Sequence, residues 1–304
     1  MALWPRCTPI LPRTGRAAVT AAMLLASWAA PALVSAASDA AAATTPSGIP
    51  WEKSFRNAMK KARAAGQPVL VDFWAEWCHW CHELDATTYR DPAVVAAAAA
   101  FVPVKVDTEG SLEEKQLSAA YDVEILPTIA FLSPRGHVIL LRDKFEGPEA
   151  FASTLALAGK SAVSVMGWEE TLSRRPDDLP ALTGLGAHLL EQGRFDESRE
   201  LLERAAKRDT DRPVDERKRT RVLLGRIQEH AEHYADAEKL LKAALALQPP
   251  GSEDADAFLR LGETYAKWGK PDSAREALAR AIETGGGSPI ADQARHALEA
   301  VPPR

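Results

Sequence analysis

Positions 69–75 read VLVDFWA, and that run limits the fold more than any other stretch of the 304 residues. It is rich in β-branched and aromatic residues, too short to be a helix, and set off from the preceding segment by Gly66 and Pro68, so it reads as a buried strand. The strand leads directly into WCHWCH, residues 77–82, which holds Cys78 and Cys81. Two thiols with two residues between them can join and reopen. At the first turn of a helix, Cys78 would meet unsatisfied backbone N–H groups and the positive end of the helix dipole, which favour its thiolate. The stretch therefore reads as a dithiol/disulfide redox pair. The CxxC pattern alone is shared by redox, zinc and haem sites, so its surroundings have to decide.

The N-terminus is of a different kind. Arg6, Arg13 and Arg16 precede the apolar run AAVTAAMLLASWAAPALVSA, residues 17–36, with no acidic residue before Asp39. That is the pattern of a secretory signal, and Val34-Ser35-Ala36 suits cleavage. The competing expectation is an uncleaved anchor, because the run approaches the ~20 residues that span a bilayer. Cleavage would remove three arginines and no acid, moving the formal net charge from −5 to −8. A product so acidic is not expected to bind nucleic acid. Cys7 would leave with the signal, so Cys78 and Cys81 alone would reach the periplasm or another exported compartment. In an oxidising compartment, a lone pair so close in sequence is a working site rather than a staple.

The rest of the chain, 46% hydrophobic and 26% charged over its full length, is ordinary globular material with room for two domains. Residues 37–50 lack periodicity and read as a linker. The apolar positions Trp51, Phe55, Ala58, Met59 and Ala62 predict a helix over 51–65, ended by Gly66. After the cysteines, helices are expected from about Cys78, over 92–100, over 112–121 and over 148–159. Strands are expected at FVPVKVD (101–107), TIAFL (128–132) and VILLR (138–142), the last two joined by a turn at 133–136. Alternation of this kind predicts one central sheet with helices on both faces.

Beyond Gly159 the texture changes to Ala, Leu, Glu and Arg in long helical periods. Three segments, 182–205, 221–249 and 258–282, repeat one another, with Gly186, Gly225 and Gly262 spaced 39 and 37 residues apart. The small residues Ser198, Ala237 and Ala274, and further on Ala205, Ala244 and Ala281, recur in step. These units resemble tetratricopeptide repeats, whose period is about 34 residues. A last helix over 290–300 would cap the stack.

The run VLVDFWAEWC, with Pro127 of ILPT 46 residues beyond Cys81, resembles a thioredoxin domain over about residues 51–160. Within that family the GQPVLVDF and DATTYRDPAVV segments are most similar to exported thioredoxin-like domains, typified by the C-terminal domain of the transmembrane thiol:disulfide interchange protein. The pair His79-Trp80 between the cysteines departs from the Gly-Pro of cytoplasmic thioredoxins and from the Pro-His of the strongly oxidising periplasmic enzyme, which leaves the potential open. The resemblance implies that Cys78 exchanges with substrate sulfur and that Cys81 resolves the mixed disulfide. It also matches Asp72 to a carboxylate under the site. Such a group in an apolar strand is desolvated and basic enough to take the proton of Cys81. Pro127 matches the family's cis-proline, and Leu126 before it would offer its backbone to a substrate chain. Trp77 and Trp80 are expected at the rim of the substrate surface, and His79 either assists the Cys78 thiolate or stands exposed beside it.

Other readings compete. CHWCH, residues 78–82, is also the attachment pattern of c-type haem, with His82 as axial ligand. The strand, Asp72 and the Pro127 loop are not what such a site needs. Zinc would have Cys78, Cys81 and His79 or His82 in a crowded set without a second CxxC. His230 and His233 sit a turn apart on a charged helix and read as a solvated face. As a different class, the chain would be an adaptor whose repeats do the work and whose redox site is secondary.

The expectation is thus an α/β thioredoxin fold over 51–160, a connecting helix or linker over 161–180, and an all-α tetratricopeptide-like array over 181–304. The chain would act as a thiol:disulfide oxidoreductase in the reducing direction, with no cofactor and no metal. Its partners would be disulfide-containing proteins, a membrane-embedded electron donor and a protein bound by the repeats. The repeats equally suit self-association into a homo-oligomer.

Overall fold

The structure, a computed structural model, describes residues 48–208 and 213–302. The expected export signal at 1–36 and nearly all of the expected linker lie outside the described residues. The chain first forms α1 (Phe55–Ala65), β1 (Val69–Trp74), α2 (His79–Ala86), α3 (Pro92–Ala98), β2 (Val102–Asp107), α4 (Leu112–Ala120), β3 (Thr128–Leu132) and β4 (Val138–Arg142). The strands make one mixed sheet in the order β2-β1-β3-β4, with β1 parallel to β2 and antiparallel to β3.

Alternation along β1 divides its side chains between two apolar layers. Val69, Val71 and Phe73 face α1, packing with Ala58, Met59 and Ala62. Leu70 faces the other layer, where Leu84 of α2 and Val94 of α3 lie. Asp72 shares the parity of Leu70 and is completely buried.

The helix expected over 51–65 begins only at Phe55. Ser54 caps it by accepting from the Asn57 N–H, and the residues before it are extended, Glu52 pairing beside Val104 of β2. The apolar period counted Trp51, but its backbone is drawn to the sheet edge, where the Glu52 N–H donates to Pro103 O at 2.9 Å. Gly66 ends the helix in the left-handed conformation (φ 63°), as expected.

The closing helix runs past its expected end at residue 159. As α5 it spans Pro148–Arg174, and its buried positions Phe151, Leu155, Ala158, Ala162, Val165 and Glu169 keep one face in the core through Gly159. By length and composition α5 could cross a membrane, but that face packs against the sheet layer.

Four further helix pairs or caps follow: α6 (Leu179–Glu191) with α7 (Phe195–Ala206), α8 (Val214–His230) with α9 (Tyr234–Leu245), α10 (Glu253–Lys267) with α11 (Pro271–Gly285), and α12 (Pro289–Ala300). The repeat has an atomic reason. A Cβ on Gly186, Gly225 or Gly262 would stand 2.9, 2.9 or 2.5 Å from Cγ of Leu202, Leu241 or Leu278, the leucine sixteen residues later in each unit. Glycine at the crossing lets each pair close, and Ser198, Ala237 and Ala274, all fully buried, keep the opposite side small.

The helical array is packed against the sheet. Leu182, Leu185 and Leu189 of α6 join Phe131, Ile139 and Phe151 in one apolar cluster. β4 is an edge strand, and α6 covers its free edge: the Leu141 N–H donates to Gln192 Oε1 (3.3 Å), and His188 Nε2 lies 3.1 Å from Val138 O. Burial holds the His188 pKa down, which favours a neutral ring donating to that carbonyl. At the β3–β4 turn, Ser133 Oγ donates to Glu169 of α5, and His137 Nδ1 is 2.5 Å from the same carboxylate.

Candidate active site

β1 ends at Trp74, and the chain turns through Ala75 to reach Cys78, whose N–H donates to Ala75 O at 3.0 Å. Cys78 is the N-cap of α2. Its Sγ accepts from the Cys81 N–H at 3.2 Å, and its carbonyl accepts from the Cys81 and His82 N–H groups. The two cysteines are joined as a disulfide. Cys81 is fully buried and Cys78 is 3% exposed. Around them the surface is aromatic: Trp77 is 66% and Trp80 53% exposed.

The exposed Trp77 indole is tethered, donating from Nε1 to Glu109 Oε1 at 2.8 Å. Trp80 packs on Phe145 (5.2 Å between ring centroids), and the exposed His79 ring packs edge-on to Trp80. His82 Nε2 lies 2.7 Å from Glu76 O. Among the described residues no three His, Cys, Asp or Glu side chains are grouped to hold a metal ion.

The Leu126–Pro127 bond is cis. β3 starts at the next residue, Thr128, which pairs with Phe73 near the end of β1, so Pro127 arrives at the same end of the sheet as the cysteines. Pro127 is buried, Leu126 half-buried and Ile125 exposed.

Asp72 is the charged residue of β1, and its environment is unusual. The β1–β2 register sets it beside Lys105, whose Nζ lies 3.1 Å from Asp72 Oδ2. Lys105 also directs hydrogen bonds to Asp85 Oδ1 and Oδ2, both at 2.6 Å, so one ammonium is shared between two carboxylates. Trp51, Trp74 and Tyr89 surround the ammonium at 5.3–5.6 Å from their centroids. Burial pushes the Asp72 pKa from 3.8 up to about 6, and Lys105 holds it from rising further. Tyr89, also buried, is pushed well above its usual value by burial and then by the Asp72 and Asp85 charges.

Lys105, Asp85 and Glu109 escape a reading of the sequence. A signal for Lys105 existed: in FVPVKVD it and Asp107 are charged at positions of one parity, between valines of the other. Asp85 sits on a helix with no pattern that marks it.

A thioredoxin-like family model matches residues 50–134, and tetratricopeptide repeat models match residues 177–249 and 222–289. The chain joins a thioredoxin-like domain to tetratricopeptide repeats. Thiol:disulfide interchange protein DsbD from two strains of Vibrio vulnificus, CMCP6 and YJ016, is 34% identical over 79 residues, 26% of this chain. The chain spans 13% of the length of these curated relatives. Among solved structures, a thioredoxin from Thermus thermophilus is 25% identical with a TM-score of 0.35, covering 38% of this chain and 90% of that one. The oxidised C-terminal domain of DsbD from Neisseria meningitidis is 24% identical with a TM-score of 0.31, covering 33% and 90% respectively.

Proposed function

We propose that this chain is an exported thiol:disulfide oxidoreductase that reduces disulfides in other proteins. The observation that carries the reading is the Cys78–Cys81 pair at the N-terminus of α2, fed by a strand whose buried Asp72 has its pKa raised to about 6. In the dithiol form, the Cys78 thiolate attacks one sulfur of a substrate disulfide. That S–S bond breaks, one substrate sulfur leaves as a thiolate, and a mixed disulfide with Cys78 forms. Cys81 then gives up its proton and attacks Cys78 Sγ. The second substrate sulfur leaves and takes up a proton, and the Cys78–Cys81 disulfide closes, two electrons having passed to the substrate. Asp72, protonated near neutrality more readily than an ordinary carboxylate, is the base that receives the Cys81 proton.

Leu126 and the cis-Pro127 turn are the docking edge for the substrate chain, and Trp77, Trp80 and His79 form its rim. The reducing direction is supported by Asp72 and by likeness to an interchange protein. A reductase outside the cytoplasm needs its dithiol renewed, so a membrane-embedded dithiol donor is part of the proposal. The repeats hold a protein partner or a second copy of the chain.

The test is capture with Cys81→Ser in the exporting compartment. The variant should be recovered joined through Cys78 to other proteins by bonds that dithiothreitol breaks. Absence of any such adduct, with the variant folded and exported, would remove the reading. A potential of about −270 mV supports the reducing direction, and one of about −120 mV reverses it.

A further inference from the structure

The segment between α4 and β3, residues 121–127, carries the docking edge at Leu126, yet little of its own backbone bonding holds it. The Asp122 N–H donates to Ala119 O and the Val123 N–H to Ser118 O, and Thr128 Oγ1 donates to Ile125 O. Asp122 itself stands in the left-handed region at φ 53°, a conformation that costs an L-residue and has to be held by its surroundings. Glu124 and Ile125 face solvent.

The holding group comes from the first repeat. Arg194, at the turn between α6 and α7, grips the last residue of α4 and the first two of the segment. Its Nη2 donates to Ala120 O at 2.8 Å, its guanidinium lies 5.7 Å from the Tyr121 ring centroid, and its Nη1 donates to Asp122 Oδ2 at 2.6 Å. Nε donates to Glu197 Oε1 at 2.7 Å, which fixes the plane of the fork. The side chain is 14% exposed although Asp122 is 76% exposed, so the guanidinium is the desolvated, pre-oriented partner. Tyr121 passes the restraint on, donating from its hydroxyl to Gly136 O at 3.0 Å and packing near Phe73 of β1.

The corresponding positions of the second and third repeats are His233 and Lys270, and both serve their own unit. His233 Nδ1 is 3.1 Å from Gln228 Oε1, and Lys270 lies over the rings of Tyr265 and Trp268. The outward grip belongs to the first repeat.

We propose that Arg194 is a positioning residue for substrate capture, and that the tetratricopeptide part through it sets the shape of the loop on which a protein disulfide docks. The proposal rests on the oxidoreductase reading. On this view the helical array acts on substrate recognition through a fixed contact, in addition to whatever its own surfaces bind.

The experiment uses the full chain, reduced beforehand, with insulin as a protein disulfide and 5,5′-dithiobis(2-nitrobenzoate) as a small one that needs no docking edge. Arg194→Met should raise the half-saturating insulin concentration about tenfold, the weight of one charge-assisted hydrogen bond, with the limiting rate within about twofold. The ratio of insulin to small-disulfide reactivity should fall by the same factor, and the Cys78–Cys81 potential should stay in place. Arg194→Lys should restore part of the loss, and Asp122→Asn, at an exposed site that does not threaten folding, should reproduce part of it. Amide exchange at 123–128 should quicken in Arg194→Met. An unchanged insulin half-saturation in an active protein, equal losses toward both disulfides, or unchanged exchange in the loop would each overturn the role of Arg194. A wild-type protein inert toward both disulfides overturns the oxidoreductase reading and the capture role with it.

Discussion

Asp72 and Lys105 face each other as direct partners in the parallel β1–β2 ladder, and that register alone sets Nζ 3.1 Å from a fully buried carboxylate. The contact does not cancel the desolvation, because complete burial outweighs the attraction of Lys105 and the nearby Asp85 charge works against it. The net result is an acid whose pKa stands at about 6.

A stability cost follows from that pKa. The folded protein holds the Asp72 proton more tightly than the unfolded chain, whose aspartate ionises near 3.8. Stability is therefore present in full below about pH 4 and is lost as pH rises through about 6, by up to roughly 3 kcal/mol. Asp72→Asn should raise the unfolding free energy of the oxidised protein by about 2–3 kcal/mol at pH 7 and by little at pH 4. Urea melts at the two pH values check it, and a gain of equal size at both would refute the assignment.

Removing the cation should act in the opposite sense. With Lys105→Met, ionised Asp72 loses its only ion-pair partner among the described residues. Its pKa should climb further and the protein should lose about 2–3 kcal/mol at pH 7. In Asp72→Asn the same change should cost less, a coupling that a double-mutant cycle measures. The pH profile of disulfide reduction should also move to the alkaline side.

The helix-to-helix turns of the repeats carry Gly193 at φ 74° and Gly269 at φ 73°, but Glu232 at φ 59° in the middle unit. An L-residue there pays roughly 1–2 kcal/mol that glycine does not, against glycine's greater freedom in the unfolded chain. Glu232→Gly should therefore stabilise by up to about 1 kcal/mol, visible as a higher midpoint in urea. A lower midpoint would mean that the Glu232 side chain contributes more than its backbone costs.

One substitution should have opposite signs at two glycines. At Gly262 a methyl meets Leu278 Cγ at 2.5 Å, so Gly262→Ala should force the α10–α11 crossing apart and cost about 1–3 kcal/mol. At Gly167, in α5, nothing lies within 4 Å, and Gly167→Ala should add about 0.5–1 kcal/mol. Thermal melts of the pair decide it.

A chain stopped after Arg174 should not behave as an independent thioredoxin-like unit. It would bare the Ile139 and Phe151 side of the core and free the β4 edge that Gln192 and His188 cover. The expected outcome is association through that edge, read by size-exclusion chromatography. A monomeric, cooperatively folding fragment would show that α6 lends the sheet little.

Much of this architecture was written in local patterns. Strands β3 and β4 fall on TIAFL and VILLR as expected, and the cysteines, the cis bond at Pro127 and the burial of Asp72 are where the thioredoxin resemblance places them. The repeat glycines were legible for the same reason, since each must meet a leucine at a constant separation along the chain. Where the pattern misled, the cause was a competing partner: Trp51 and Glu52 left α1 for the sheet edge, and Gly159 did not stop α5 because Ala162 and Val165 still had a core to fill.

By itself the sequence determined which elements form and where two sulfurs meet, because helix and strand periods and a two-residue spacing act over a few positions of chain. Tertiary structure alone decided what surrounds them. Lys105 finds Asp72 across a ladder, Asp85 finds Lys105 from a helix, and Arg194 reaches Asp122 across 72 residues of chain. Charged partners at such separations leave no periodic trace, since what selects them is the desolvation of one group and the register that brings the other within reach.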